Sequence, residues 1–509
     1  MRATRLLHLV PITLTLLLYG CLNLAPPGSP TFTNGPTAPL TAVPAPTATD
    51  APTTAAPPTP DASQSAGASP DVEPVVWGSC QGGLECTTLE VPIDHHDPDG
   101  ATVDLALIRH PADNQAERIG SLVMNPGGPG GSGVGWVRGA WSSFGAELTD
   151  RFDIVGFDPR GIHESDGIRC LDTRPVLSDA FPETEVEEQA FIDSAMAVVQ
   201  ACQENSGELL PFVGTQNVAR DLDLIRAALG DEKLTYYGFS YGTFIGARYA
   251  DMFPASIRAM VLDGPVDPAL DFSAFVRTQS AASQAELDEF LQGCATRNSC
   301  SFSPKDEPEQ AFDALMERFD QGPIDGVTTS VALAAVYQAL VVDDDSVLET
   351  MLSLAEEGTA GPMALAGSWA IDARALDGYD AVNCLDYPMP QTPEGFADVA
   401  AEAAQAAPDI GAWNTYTYFD CAFWPAEATR VPGPMDAEGA PPILVVAATG
   451  DPSTPYEWGV SLADQLESGV LITRQGDGHT SFHFSACVRD IATTYLMTLA
   501  APATDTTCD

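Results

Sequence analysis

The chain has 509 residues, 45% of them hydrophobic, which is enough to bury one large elaborated core or two ordinary ones and excludes a disordered protein. Its formal net charge of -49, from 71 acidic against 22 basic residues, excludes nucleic acid and an anionic membrane surface as electrostatic partners. The acids are spread through the chain without a long run, so they read as a solubilising surface rather than a binding patch.

Arg2 and Arg5 precede an apolar run from Leu6 to Leu18, closed by Tyr19-Gly20-Cys21. A basic flank before an apolar run too short to span a bilayer predicts an export signal over residues 1–21. Its end is similar to a bacterial lipoprotein box, which predicts that Cys21 carries lipid and that the membrane is met only through that anchor. Residues 22–74 are rich in Pro, Thr, Ala and Ser and nearly free of aromatics, so they are expected to form an extended tether. Setting Cys21 aside leaves ten cysteines, an even number that suits five disulfides in an exported chain. Short loop closures favour successive pairing, from Cys80 with Cys86 to Cys487 with Cys508, although spacing alone leaves the connectivity open.

The folded part opens near Val75. Residues 88–92 and 103–108 predict an edge hairpin around a turn at 94–100, where His95-His96-Asp97 reads as a polar turn and not as a metal site. Residues 119–124 form a buried strand that runs into Asn125-Pro126-Gly127-Gly128-Pro129-Gly130-Gly131-Ser132-Gly133. Glycines in that position let backbone N–H groups face a ligand, and no Lys-Ser/Thr follows to make a phosphate-binding P-loop. Residues 152–157 are the next core strand, ending in Asp158-Pro159-Arg160-Gly161. Residues 217–229 are an amphipathic helix leading to the strand 234–237 and then to Gly238-Phe239-Ser240-Tyr241-Gly242. This G-x-S-x-G lies between a strand and a helix, the setting of a nucleophile elbow.

A further strand at 258–262 completes a first core segment, residues 75–265. The alternation of strands and helices predicts an α/β fold with a mainly parallel sheet covered on both faces. Residues 266–439 are instead Ala-, Leu- and Glu-rich helical stretches, an expected cap insertion with Pro432-Gly433-Pro434 at its exit. The sheet resumes in residues 440–509 with the strand 442–447, followed by Thr449-Gly450-Asp451, and a last strand at 469–474, followed by Gly478-His479.

Ser240, Asp451 and His479 thus occur in the order Ser…Asp…His, with the acid and the base each after a late strand. In the expected chemistry His479 takes the Ser240 proton and Asp451 orients the ring. The N–H of Tyr241, with that of Gly128 or Gly127, stabilises the oxyanion. His483 and Asp477 are the competing base and acid. His483 lacks the Glu of a zinc-binding helix motif, and Asp477 is too close to His479 in sequence. His163 reads as a pocket or surface residue.

The glycine loop, Asp158-Pro159-Arg160-Gly161, the elbow and Asp451-Pro452-Ser453-Thr454-Pro455 together resemble the secreted tripeptidyl aminopeptidases related to proline iminopeptidases. The resemblance covers residues 77–508 and implies an α/β-hydrolase fold with a helical cap. It also implies an exported serine exopeptidase that takes peptides with a free N-terminus and uses no metal or cofactor. His163 and Thr480 depart from the family's usual residues, which bears on the pocket. An exopeptidase needs a partner for the substrate's ammonium, and Asp386, beside Cys384 in the cap, is the expected one. A carboxylesterase or lipase on the same fold and a non-catalytic surface-binding protein are the alternatives; the full Ser-His-Asp set argues against the last.

Overall fold

The computed structural model describes residues 72–509 apart from residues 176, 178, 298 and 303–306. The export signal, Cys21 and residues 22–71 of the expected tether lie outside them. Ten strands form one sheet: β1 (Gly78–Ser79), β2 (Glu85–Pro92), β3 (Thr102–His110), β4 (Gly120–Asn125), β5 (Phe152–Phe157), β6 (Leu234–Phe239), β7 (Ile257–Asp263), β8 (Ile443–Gly450), β9 (Gly469–Asp477) and β10 (Thr506–Cys508). Their spatial order is β1-β2-β3-β5-β4-β6-β7-β8-β9-β10. The hairpin end, β1 to β3 and onto β5, is antiparallel. Every pairing from β5 to β10 is parallel.

All residues of β4, β5 and β6 are buried, as continuous apolar runs require when helices cover both faces. One face packs Leu222, Ile225, Tyr236 and Ile245, and the other Val134, Val137, Leu444 and Leu496. Parallel strands send their C-terminal ends to one edge, so Asn125, Phe239, Asp263, Gly450 and Asp477 all end there. This is the edge at which open α/β sheets bind ligands.

Strand β9 runs beyond the expected 469–474 and is not the last. Residues 506–508 add β10 in parallel, Thr506 opposite Ile472. Three residues carry no apolar run to betray a strand; the Cys487–Cys508 disulfide holds them to the edge. The other disulfides join Cys80 to Cys86, Cys170 to Cys202, Cys294 to Cys300 and Cys384 to Cys421.

Between β7 and β8 the described residues form helices and one isolated bridge, Ile324 with Val327. Leu291, Phe312, Phe319, Val336, Leu352 and Trp413 make a core of their own there. The helix Phe272–Thr296 joins both parts: its Phe275 belongs to the sheet-side core and its Leu291 to the insertion core. Its first turn is capped by Asp271, which accepts the Ala274 N–H at 2.9 Å.

The Asp158-Pro159-Arg160-Gly161 turn after β5 is structural. Asp158 Oδ1 accepts from Ser132 Oγ (2.6 Å) and from the Val134 N–H (3.1 Å), capping the helix Gly133–Ala140 that follows the glycine loop. Fully buried Arg160 donates to both oxygens of Asp221 (2.6 and 2.5 Å) and to the carbonyls of Ile93 (2.6 Å) and Pro92 (3.0 Å). His95 Nε2 lies 2.9 Å from the same carboxylate, which absorbs it into the scaffold. Replacing Arg160 leaves Asp221 buried without its cation, so Arg160→Met is expected to lose about 3–5 kcal/mol of stability. Urea unfolding followed by fluorescence measures this, and a loss below about 1 kcal/mol would contradict the assigned role.

Candidate active site

Ser240 stands between β6 and the helix Tyr241–Met252 with φ 54 and ψ -128, in a backbone region a non-glycine residue occupies only under strain. The turn is tight enough that a Cβ on Gly238 would lie 2.4 Å from the Gly242 carbonyl oxygen. The glycine loop after β4 closes on the same point. A Cβ on Gly127 would come within 2.8 Å of Ser240 Cβ and 3.0 Å of the Tyr241 nitrogen.

Asp451, after β8, has a fully buried side chain. It accepts the N–H groups of Ser453 (2.9 Å) and Thr454 (2.8 Å) at Oδ1, and Thr454 Oγ1 (3.0 Å) and the Thr480 N–H (3.2 Å) at Oδ2. His479 Nδ1 is 2.9 Å from both oxygens. Burial alone would raise this carboxyl; the charge and hydrogen bond of His479, with the two backbone donors, hold it below the ordinary aspartate value. An acceptor-only carboxylate assigns the proton to Nδ1 and leaves a lone pair on Nε2. Nε2 is buried and without a hydrogen-bond partner among the described residues. No hydrogen bond joins it to the Ser240 hydroxyl, a contact that in such enzymes tightens when substrate docks.

The oxyanion donors divide. The Gly127 N–H is already given to Asn125 Oδ1 at 2.9 Å, so Gly127 cannot be the donor. The N–H groups of Gly128 and Tyr241 have no partner among the described residues and are the pair that remains.

A cavity of about 510 Å³ extends from Gly128, Ser240 and Tyr241 to the insertion's Tyr337, Trp369 and Trp413. That volume lies in the range of small-ligand sites. His163 is exposed and lines it as well. His483 does not join the Asp451 pair. Its ring stacks on Phe239, 5.8 Å between centroids, and burial followed by Arg489 lowers its pKa. Asp477 makes no hydrogen bond to the His479 ring, whose carboxylate partner is Asp451, and lies beside Glu286 and Glu289.

Asp386 is not in the cavity wall. It is the last residue of the helix Ala373–Asp386, 2% exposed, and accepts the Thr215 N–H (2.9 Å) and Thr215 Oγ1 (2.5 Å). Thr215 Oγ1 in turn lies 2.5 Å from the Tyr241 hydroxyl. The expected ammonium ligand is therefore a support beneath the elbow helix; its contact lies 171 residues away, beyond any local pattern. The acids that do meet the cavity are Asp179 and Asp420. Asp420 pairs with Arg174 (2.9 Å), which also pairs with Asp377 (2.8 Å) and Asp380 (2.6 Å) behind it. Arg174 and Asp420 line the cavity. Three carboxyls face one guanidinium, and with a proton held between Asp380 and Asp420 the group keeps one net negative charge. Burial pushes the Asp380 carboxyl up against the pull of Arg174, and neighbouring Asp420 adds to the rise.

Burial pushes the Asp386 carboxyl up to about 6, despite the Thr215 hydrogen bonds. A raised folded-state pKa contributes stability below the unfolded value of about 3.9 that is lost as pH rises through about 6. Asp386→Asn should remove this dependence, so its melting temperature relative to wild type is expected to improve from pH 4 to pH 7. Parallel melting curves for the two proteins would contradict it.

The chain is similar to known proteins over most of its length. A family model described as alpha/beta hydrolase fold matches residues 120–306, and one described as TAP-like protein matches residues 407–508. Serine protease Hip1 of Mycobacterium tuberculosis is 35% identical over 492 residues, covering 86% of this chain and 91% of that protein. Tripeptidyl aminopeptidase of Streptomyces coelicolor is 31% identical over 456 residues, covering 84% and 83%. Carboxylesterase B of Mycobacterium tuberculosis is 32% identical over 491 residues, covering 88% and 92%. The chain is a serine hydrolase and belongs to the α/β-hydrolase family that includes tripeptidyl aminopeptidase and serine protease Hip1.

Proposed function

We propose that the protein is an exported serine exopeptidase that releases short peptides, tripeptides foremost, from free N-termini. Ser240 is the nucleophile, His479 the general base and acid, and Asp451 the residue that orients the ring. Ser240 Oγ attacks the scissile carbonyl carbon as its proton passes to His479 Nε2, and the Gly128 and Tyr241 N–H groups receive the oxyanion. Collapse expels the amine, which leaves with that proton. Water, deprotonated by the same nitrogen, then attacks the acyl-serine and frees the peptide acid.

The observation that carries this reading is the His479 ring held between both oxygens of Asp451 with Nε2 left unpartnered. The exopeptidase part rests on the acid excess around Arg174 in the cavity wall, where Asp420 would meet the substrate's ammonium. A buried ammonium needs such a partner, and an acylated amine would leave the carboxylate unpaired. The named carboxylesterase relative supports a second reading, an ester substrate in the same cavity. Export accords with the five disulfides. Among the described residues no helix is long and apolar enough to cross a membrane. Attachment would then rest on lipid at Cys21, with residues 22–74 holding the folded part away from the envelope.

Ser240→Ala is expected to fold and to lose at least about a thousandfold in kcat. Wild type should cleave a free tripeptide anilide and spare its N-acetylated form, and Asp420→Asn should narrow that difference through KM. Equal cleavage of both substrates by wild type removes the exopeptidase reading in favour of an esterase or endopeptidase one, and near-normal turnover by Ser240→Ala would remove the nucleophile. Mass spectrometry of the mature protein should find a diacylglyceryl N-terminal Cys21; a mature chain that lacks Cys21 would rule the anchor out.

A further inference from the structure

Asp263, the last residue of β7, is fully buried and touches both halves of the site. Its backbone carbonyl accepts the Ser240 N–H at 2.9 Å. Its carboxylate accepts the N–H of Ser481 at Oδ1 (2.8 Å), and the N–H of Phe482 (2.9 Å) and the Tyr237 hydroxyl (3.1 Å) at Oδ2. A buried carboxylate is tolerated only when it is hydrogen-bonded in this way, and none of the three donors lies on its own strand.

Arg474 of β9, 4% exposed, holds the opposite side of the same loop. It donates to the carbonyls of Asp477 (2.7 Å), Gly478 (2.8 Å) and Thr480 (3.3 Å) and to Ser481 Oγ (3.3 Å). The Gly478 N–H goes to Gly450 O (2.8 Å), the His479 N–H to Val341 O (2.9 Å), and the Thr480 N–H to Asp451. Every backbone N–H from 478 to 482 is therefore held, and the last two are held by Asp263.

We propose that Asp263 is a positioning residue for the hydrolysis. Its carboxylate fixes the loop that carries His479 while its carbonyl fixes Ser240, so one residue sets base and nucleophile relative to each other. The inference rests on the reading of Ser240 and His479 given above. The charged or titratable groups that face Asp263 are Tyr237 from β6, Arg474 from β9, and His479 with Asp451 bound to its ring. Burial pushes the Asp263 carboxyl up to about 6, opposed by its donors and by His479. Below that pH the anchor becomes neutral and loses acceptor strength toward the loop, so its ionisation contributes to the acid limb of kcat. The Arg474 cation favours the ionised form, and its removal should move that limb to higher pH.

The test measures kcat and KM on a free tripeptide anilide from pH 4 to pH 8, with active sites counted by a fluorophosphonate. Asp263→Asn keeps the shape but turns an amide N–H toward a backbone N–H. It should lower kcat by about tenfold or more, leave KM within about twofold and make the acid limb shallower by one ionisation. Arg474→Gln should lower kcat similarly and shift the limb upward. Wild-type kcat in Asp263→Asn, or a reduced kcat with the wild-type acid limb, would overturn the proposal. If Asp263→Asn gives no titratable sites, Arg474→Gln decides: an upward shift supports the proposal and an unmoved limb overturns it. Should wild type hydrolyse only esters, the peptidase reading fails and the same comparison is made on the ester.

Discussion

The left-handed backbone at Ser240 imposes its terms on everything around it. Holding a serine at φ 54 stores about 1–3 kcal/mol, which persists only where the surroundings over-determine it. Here the Ser240 N–H is tied to Asp263 O, and its carbonyl accepts both the Thr243 N–H (2.8 Å) and Thr243 Oγ1 (2.6 Å). The strain turns the hydroxyl off the sheet edge and starts the helix Tyr241–Met252 beneath it, so that the Tyr241 N–H is left unspent inside the cavity. The glycine loop then has to pass within van der Waals contact of the elbow. The capping of the next helix by Asp158 fixes where that loop ends.

A chain with a formal charge of -49 has few cations, and several of them are committed to clamps, Arg160, Arg174 and Arg474 among them. Arg160 ties the hairpin end of the sheet to the helix Thr215–Ala228, Arg174 gathers three insertion carboxylates at the cavity, and Arg474 holds the His479 loop by its carbonyls. Each is a polyvalent donor at a place where several chain segments meet, a task for which a planar guanidinium is suited and an ammonium is not. The insertion is part of the same machinery. Val341 O receives the His479 N–H and the Tyr337 hydroxyl bonds Ser453 at 2.8 Å, so the cap braces the acid and base loops as well as roofing the cavity.

The parts of the site legible in the sequence were those with a local signature. A glycine-flanked serine between a strand and a helix, an acid after one apolar run and a histidine after another are patterns of neighbours, and so were β4 to β9 in outline. Cysteine spacing favoured the pairings seen, without fixing them. What escaped was long-range. Asp386 lies next to a disulfide in sequence yet faces Thr215, and nothing in its neighbours reveals that. Gly127 was one of two equivalent glycines until Asn125 Oδ1 distinguished them. Strand β10 is too short and polar to show periodicity. Asp263 did carry a signal, an acid directly after a buried apolar strand, but its partners Ser481 and Phe482 are 218 and 219 residues away.

The central claim is that Ser240 is the nucleophile of a hydrolase that grips a free peptide N-terminus. A tripeptidyl phosphonate diphenyl ester with a free amine, incubated with the purified protein and mapped by mass spectrometry after digestion, tests it directly. The account predicts one phosphonyl adduct, on Ser240, formed much faster than with the N-acetylated reagent. An adduct on another residue, or equal rates on Ser240 for the free and acetylated reagents, would contradict it.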